Sequence, residues 1–243
     1  MSARAPAPAP AVPRRHPALV HHPGRRAVLT CALALGSVGA WAAAAAPARA
    51  SSGSGPEIFG CEEWGALPPS EPVVVLAAPP QRIIVHHTAT ANVEDYSRQR
   101  AFALARAIQK HHMDTLGWID TGQHFTVSRG AFVTEGRHES LAELSAGRGQ
   151  VRSAHCVGQN NVAVGIENEG TYTSAEPPAR QYEALVGLCA HVCAQYGLPP
   201  SEIHGHRDFN STACPGDRLY ALLPQLRQDV AALTGVQGWW GGN

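Results

Sequence analysis

Short apolar runs followed by polar residues alternate along this chain with longer segments that have the period of an amphipathic helix. The run at 82–89 lies between a Pro-Pro pair and a polar loop, and it predicts a strand that ends near His86 and His87. The segments 124–127 and 131–134 predict a hairpin, because a Ser-Arg-Gly sequence with turn character joins them. Since successive strand side chains face opposite ways, the two adjacent histidines are predicted to point to opposite faces of a sheet.

A further apolar run, at 161–170, ends in two carboxylates. It is apolar enough for a strand in the middle of a sheet, and Glu167 and Glu169 stand at its end. The segment 61–80 contains repeated prolines, and it predicts an extended arm that lies on the fold.

Helical periodicity covers three segments. The first, 93–113, has Asn92 as its predicted N-cap, and the second, 180–196, stops at a glycine followed by a proline. The third, 218–233, contains Pro224 as a predicted kink. The order of strands and helices predicts a single α/β domain in which a central mixed β-sheet is flanked by helices.

The first fifty residues differ from the rest in composition. They contain six arginines and no acidic residue, and an apolar stretch at 27–46 precedes the small-x-small sequence Ala48-Arg49-Ala50. This order is typical of a cleaved export signal, and Arg25-Arg26 directly before the stretch resembles a twin-arginine leader. A membrane anchor is the less favoured alternative, because the stretch is rich in alanine and a cleavage site follows it. We therefore expect a secreted protein that is exported by the twin-arginine route.

Cleavage after residue 50 changes the charge of the protein. The whole chain has 19 basic and 19 acidic residues, and loss of the six leader arginines leaves 13 basic residues and a net charge of −6. This balance argues against a nucleic-acid partner. No later stretch is apolar enough to span a membrane, so we expect no membrane association after cleavage. We also expect the protein to be a monomer. The predicted organisation is an export signal at 1–50, a flexible linker at 51–60, one domain at 61–235 and a tail at 236–243.

Five cysteines follow the predicted cleavage site. If Cys214 binds a metal, four remain, and an even number suits two disulfides in an exported protein. These four are Cys61, Cys156, Cys189 and Cys193. Because the last two have the i, i+4 spacing of one helix face, each is expected to bond elsewhere.

The loop 204–216 contains candidate metal ligands. His206 and Cys214 lie eight positions apart in it, and a hydrolytic zinc site needs a third protein ligand and one open position. His86 is the candidate for the third ligand, because a strand holds a ligand more rigidly than a loop. Two alternatives stay open: His204 competes with His206 as a ligand, and Cys214 could instead form a disulfide. The other histidines are interpreted as structural or surface residues: His87, His111, His112, His138 and His191.

Water activated by such a metal needs a base. Glu167 and Glu169 alternate to the same face, so either is a candidate, and we favour Glu167, although a solvated strand end is the simpler interpretation. Thr212 is expected to donate a hydrogen bond to the developing oxyanion. Asp208 or a backbone carbonyl is expected to orient one ligand histidine.

Six motifs follow one another along the chain. They lie at 83–89, 116–125, 133–137, 153–156, 161–167 and 205–216. The first reads Ile-Ile-Val-His-His-Thr-Ala and the last Gly-His-Arg-Asp-Phe-Asn-Ser-Thr-Ala-Cys-Pro-Gly. In this order the motifs resemble the zinc-dependent N-acetylmuramoyl-L-alanine amidases of the type 2 family, which includes the peptidoglycan recognition proteins. The resemblance covers 61–233.

This resemblance implies an enzyme that binds zinc through His86, His206 and Cys214. Its substrate would be peptidoglycan, in which it would cleave the amide between the lactyl group of N-acetylmuramic acid and L-alanine, outside the cell or at the cell wall. The chain departs from the family pattern at Gln123, where many members have a catalytic tyrosine, whereas Glu167 matches the glutamate that other members use.

A substrate that is part sugar and part peptide implies a long open groove. Its expected walls are Trp118, Gln123, His124, Arg137, His155 and Asn161. The main alternative is a non-catalytic module that binds peptidoglycan and holds a structural zinc. The presence of all three candidate ligands argues against this alternative, while Gln123 keeps it open. A zinc peptidase that acts on stem peptides is the second alternative.

Overall fold

The computed structural model describes residues 55–235. The predicted export signal, its cleavage site and the C-terminal tail lie outside these residues. Within 55–235, no helix combines the length and the apolar character that a membrane crossing requires.

A six-stranded mixed sheet is the centre of the fold, as the sequence predicts. The strands in chain order are β1 (Ile58–Phe59), β2 (Val75–Leu76), β3 (Arg82–His87), β4 (Phe125–Val127), β5 (Val133–Glu135), β6 (Gln150–Val151), β7 (Ala163–Asn168) and β8 (Ile203–Gly205). The sheet has the order β1-β5-β4-β7-β3-β8. Strands β4 and β5 form the predicted antiparallel hairpin, and the other neighbours in this sheet are parallel. Strands β2 and β6 form a separate antiparallel pair.

Within residues 55–235, six α-helices surround the sheet. They are α1 (Cys61–Trp64), α2 (Arg98–Lys110), α3 (Ser140–Ala146), α4 (Ala179–Tyr196), α5 (Asp217–Ala221) and α6 (Leu223–Thr234). Helix α4 agrees with its prediction, but α2 begins later than predicted because Ser97 caps it: the Ser97 hydroxyl accepts from the Arg100 backbone N–H at 3.1 Å. The predicted last helix is two helices, and Pro224 lies in the first turn of α6, where its missing N–H breaks no helical hydrogen bond.

The two faces of the sheet have different partners because strand side chains alternate. Ile83 and Val85 of β3 point into the main core, where they meet Leu188 of α4 and Leu226 of α6. Ile84 points to the opposite face and belongs to a separate, smaller cluster. The next residue on that opposite face of β3 is a candidate metal ligand, so the alternation directs it away from the main core.

The segment 61–80 differs from the predicted extended arm. It begins with helix α1, in which Trp64 is buried and donates from Nε1 to the Glu135 carbonyl oxygen at 2.9 Å. It also contains strand β2. A four-residue helix and a two-residue strand are too short to produce a periodic pattern, so the sequence could not predict them.

The two predicted disulfides are not formed, since no cysteine within residues 55–235 is bonded to another. Cys61 and Cys156 lie in two small clusters, and Cys189 and Cys193 lie in the main core. Burial raises the pKa of the Cys156 thiol to about 11 and that of Cys193 to about 12. These four residues therefore pack as small apolar side chains, distributed over three clusters.

Candidate metal centre

Three side chains proposed as metal ligands converge at one end of the sheet. Among the described residues, donor atoms of His86, His206 and Cys214 all lie within 4.8 Å of one another. Strands β3 and β8 are parallel neighbours, so His206, which follows β8, arrives beside the end of β3. The Cys214 Sγ lies 3.6 Å from His86 Nδ1 and accepts a hydrogen bond from the His87 backbone N–H at 3.4 Å.

Each of the two histidines has its Nε2 atom engaged by another side chain, which leaves Nδ1 for a metal. The Nε2 of His86 lies 2.9 Å from Nδ1 of His155, and the Nε2 of His206 lies 3.1 Å from Oδ1 of Asn210. Metal-binding imidazoles usually have the second ring nitrogen held in this way. The prediction that Asp208 or a backbone carbonyl orients a ligand was wrong, because the two Nε2 atoms meet His155 and Asn210. The Asp208 carboxylate instead accepts from the last backbone N–H of β8 at 2.9 Å.

The electrostatic setting of the three residues fits zinc. Burial lowers the pKa of His86 and of His206, so both imidazoles are neutral, which is the form that binds a metal. Burial raises the pKa of the Cys214 thiol to about 12, and a bound divalent cation would offset this by stabilising the thiolate. Two neutral nitrogens and one thiolate are a known donor set for a zinc ion that keeps a fourth position open.

The structure separates the candidates that the sequence left in competition. His204 Nε2 lies 3.3 Å from the Glu202 carboxylate, and His204 is not among the residues that line the site. Glu169 is fully buried and accepts hydrogen bonds from Arg100 Nε at 2.8 Å and from the Arg129 backbone N–H at 2.9 Å. The side chains of His204 and Glu169 are therefore engaged in local hydrogen bonds and ion pairs and do not belong to the site.

A cavity of about 310 Å³ lies over the three candidate ligands. Glu167 and Thr212 line it, as do two of the predicted groove residues, Trp118 and His155. The structure therefore brings together both catalytic candidates, all three metal-ligand candidates and one part of the predicted groove.

Glu167 enters the cavity because of the register of the sheet. It stands opposite His86 in the parallel pairing of β7 with β3, so the two side chains share one face. Burial raises the pKa of its carboxyl to about 7, a value suited to a general base near neutral pH. Thr212 Oγ1 accepts from the Cys214 backbone N–H at 3.2 Å, which leaves the hydroxyl proton free to be donated.

Two histidines that sequence analysis assigned to structural or surface roles also line the cavity, His87 and His112. After α2 the chain makes a π-helical turn at His111–Thr115, and the Trp118 backbone N–H then donates to the His112 carbonyl at 2.9 Å. The centroids of the His112 and Trp118 rings lie 4.7 Å apart. Because a π-turn changes the helical phase, the periodicity of α2 could not indicate that His112 and Trp118 share one wall.

Four predicted groove residues do not line the cavity: Gln123, His124, Arg137 and Asn161. The first three are buried, and the hydrogen bonds that they form go to groups inside the protein. The Gln123 amide donates to Thr126 Oγ1 at 2.9 Å, and the ring of His124 bonds backbone groups of β6 and β7 at 2.8 and 2.9 Å. Arg137 donates to two backbone carbonyls at 2.7 and 2.8 Å, while Asn161 is exposed and accepts from Arg152 Nε at 3.1 Å.

The chain is similar to known proteins over most of the described residues. The family model described as N-acetylmuramoyl-L-alanine amidase matches residues 76–217. The human N-acetylmuramoyl-L-alanine amidase is 33% identical over 162 residues, which are 66% of this chain and 26% of that protein. The chain therefore corresponds to about a quarter of the human protein.

Peptidoglycan recognition proteins are similar over most of their length. Peptidoglycan recognition protein 1 of Bos indicus is 34% identical over 165 residues, which are 67% of this chain and 80% of that protein. Among solved structures, the ectodomain complex of peptidoglycan recognition proteins LCa and LCx bound to tracheal cytotoxin matches with a TM-score of 0.60 and 30% identity. That match covers 69% of this chain and 95% of the other.

Proposed function

Because the chain belongs to the N-acetylmuramoyl-L-alanine amidase family, we propose that it hydrolyses peptidoglycan at the amide between the lactyl group of N-acetylmuramic acid and L-alanine. One observation carries this proposal: Glu167, a carboxylate whose pKa burial raises to about 7, lines the same cavity as the His86, His206 and Cys214 donors. A structural zinc clip needs no such base beside it.

His86, His206 and Cys214 would hold the zinc ion. When bound, zinc would supply a Lewis acid for the amide carbonyl and lower the pKa of a water molecule. A set of three protein donors is the number that suits a zinc ion in these roles. His155 and Asn210 keep the two imidazoles oriented from behind, at 2.9 and 3.1 Å.

Glu167 would then accept a proton from the attacking water and deliver it to the leaving amine of L-alanine. Thr212 would donate its hydroxyl proton to the oxygen that gains negative charge at the cleaved carbonyl. Trp118 and His112 form one wall of the cavity, where their rings would contact the sugar or the stem peptide.

The position of Gln123 is relevant to the alternative that the protein binds peptidoglycan without cleaving it. It replaces the tyrosine that many family members use, but its side chain is buried and bonded to Thr126, and it does not line the cavity. The proton-transfer role therefore falls to Glu167 in our proposal, so the tyrosine is not required for it.

Digestion of purified peptidoglycan with the zinc-loaded protein tests the proposal. We expect release of stem peptides with a free L-alanine N-terminus and of glycans that retain an intact lactyl carboxylate. Glu167→Gln should keep zinc and peptidoglycan binding but lose this release. Binding without release by the unaltered protein would support the non-catalytic module instead. Mass spectrometry that locates the cleavage within the stem peptide would support a zinc peptidase.

We also propose that the protein acts outside the cytoplasm, after export directed by residues 1–50. Fractionation of cells that express the full chain tests this proposal: replacement of Arg25 and Arg26 by lysine should retain the protein in the cytoplasm. An unchanged distribution would contradict the twin-arginine route and leave a general export signal as the alternative.

A further inference from the structure

His155 reaches the back of the metal centre. The Nδ1 of His155 lies 2.9 Å from Nε2 of His86, and the two rings meet nearly at a right angle, 81°, with centroids 4.9 Å apart. This contact joins residues 69 positions apart in the sequence. Only one of the two nitrogens can carry the shared proton, so the contact determines which nitrogen of His86 faces the metal.

The other side of the His155 ring decides where that proton lies. Its Nε2 is 3.3 Å from the Ala163 carbonyl oxygen, which can only accept a hydrogen bond. Nε2 of His155 must therefore carry a hydrogen. A neutral imidazole carries hydrogen on one nitrogen only, and none of the hydrogen-bond partners of His155 is a carboxylate that would hold a second proton. The Nδ1 of His155 is consequently an acceptor.

We infer that His155 is a positioning residue for the metal centre, which fixes His86 as the tautomer with hydrogen on Nε2 and an open lone pair on Nδ1. That lone pair faces the Cys214 sulfur, 3.6 Å away, where the ion would lie. His86 is thus prepared to bind a metal before the metal arrives. This role differs from the groove-wall role that the sequence suggested for His155.

The protein backbone around His155 is shaped to hold its ring. Gly165 of β7 lies under the ring, and a Cβ atom at this position would come within 2.3 Å of the His155 Cδ2. The Gly165 N–H in turn donates to Nδ1 of His124 at 2.9 Å, so the strand beneath the ring is held in place. A side chain larger than hydrogen at 165 would displace the ring from His86.

Two variants separate the acceptor from the packing. His155→Asn keeps an oxygen acceptor close to the position of Nδ1, whereas His155→Leu has nearly the same size and no acceptor; both lose the bond to Ala163. Zinc affinity is measured by competition with a chelating dye. We expect His155→Leu to weaken zinc binding about 10-fold to 100-fold, the range for loss of such a partner, and His155→Asn to stay within about 3-fold of the unaltered protein. The same pair of changes at the exposed His111 serves as the control.

A second measurement needs no variant. Nitrogen-15 NMR of the zinc-free protein reports which ring nitrogen is protonated, and we expect His86 as the Nε2–H tautomer and His155 likewise. Equal weakening by Leu and Asn, no weakening by Leu, or an Nδ1–H tautomer of His86 would each overturn the inference. The inference rests on the proposed function only for the identity of the metal. Failure to hydrolyse peptidoglycan would leave both measurements unchanged, so the two failures are distinguishable.

Discussion

Glu167→Gln is expected to stabilise the zinc-free protein at alkaline pH while it removes activity. The side chain is partly buried, and burial raises the pKa of the carboxyl from its ordinary value of 4.5 to about 7. A carboxyl with a raised pKa in the folded state contributes stability below pH 4.5, and this contribution is lost as pH rises through 7. Glutamine has nearly the same shape and carries no charge, so the variant avoids this loss.

The size of the effect follows from the shift. Each pKa unit corresponds to about 1.4 kcal/mol, so the shift sets a ceiling of about 3.4 kcal/mol at pH 8.5. Because the side chain is only partly buried, solvent screening reduces this, and we expect a gain of about 2 kcal/mol in the free energy of unfolding. The gain should vanish below pH 4.5, where Glu167 is protonated in both states.

Urea unfolding of the zinc-free protein at pH 4 and pH 8.5 measures this gain, with the exposed Glu94→Gln as the matched control. Bound zinc should reduce the gain, because its positive charge stabilises the carboxylate. The same variant should lose at least about 100-fold in the rate of stem-peptide release, as expected for loss of a general base. A gain that is equal at both pH values, or absent at pH 8.5, would refute the account of Glu167 as a base held ready by burial.

Three further predictions concern the metal, an ion pair and the departure from the family pattern. Cys214→Ser should weaken zinc binding at least about 100-fold, because a hydroxyl does not ionise as a thiol does. Competition with a chelating dye measures the zinc affinity, and an unchanged affinity would exclude Cys214 as a ligand. Burial raises the pKa of Asp120, but hydrogen bonds from His138 hold it below its ordinary value of 3.8, and the same contact raises the pKa of His138 above 6.5. The Asp120–His138 pair therefore stabilises the folded protein most between about pH 4 and 6.5. Asp120→Asn should lower the free energy of unfolding by about 2–4 kcal/mol at pH 6 and by less above pH 8. A loss that is independent of pH would contradict this prediction. Gln123→Ala should lower the free energy of unfolding by about 1–3 kcal/mol, because it removes a buried hydrogen bond, yet change the rate of hydrolysis less than 10-fold; a 100-fold loss would give Gln123 a place in the chemistry.

Local patterns in the sequence determined four of the six strands of the sheet, β3, β4, β5 and β7, and one helix that covers it. Alternation along β3 separates Ile83 and Val85 from His86, and this period of two follows from the strand backbone alone. The bounds of α4 also follow from a local signal, because Gly197 ends the helix in the left-handed conformation that glycine adopts without strain. Residue chemistry was equally local: two imidazoles and a thiolate suggest zinc wherever the chain places them.

Only the tertiary structure decided which of these side chains meet. The sequence favoured Glu167 but kept Glu169 as a second candidate base, and the ion pair of Glu169 with Arg100 removes Glu169 from the site. The predicted disulfides and the groove positions of His124 and Arg137 depended on contacts between distant segments, which periodicity does not report. His155 shows the reason most clearly: its partner His86 is 69 positions away, and the hydrogen bond exists because β7 carries a glycine under the ring. The sequence supplied the two histidines and the cysteine of the metal centre, and the fold decided which ring nitrogen of each histidine is free to bind a metal.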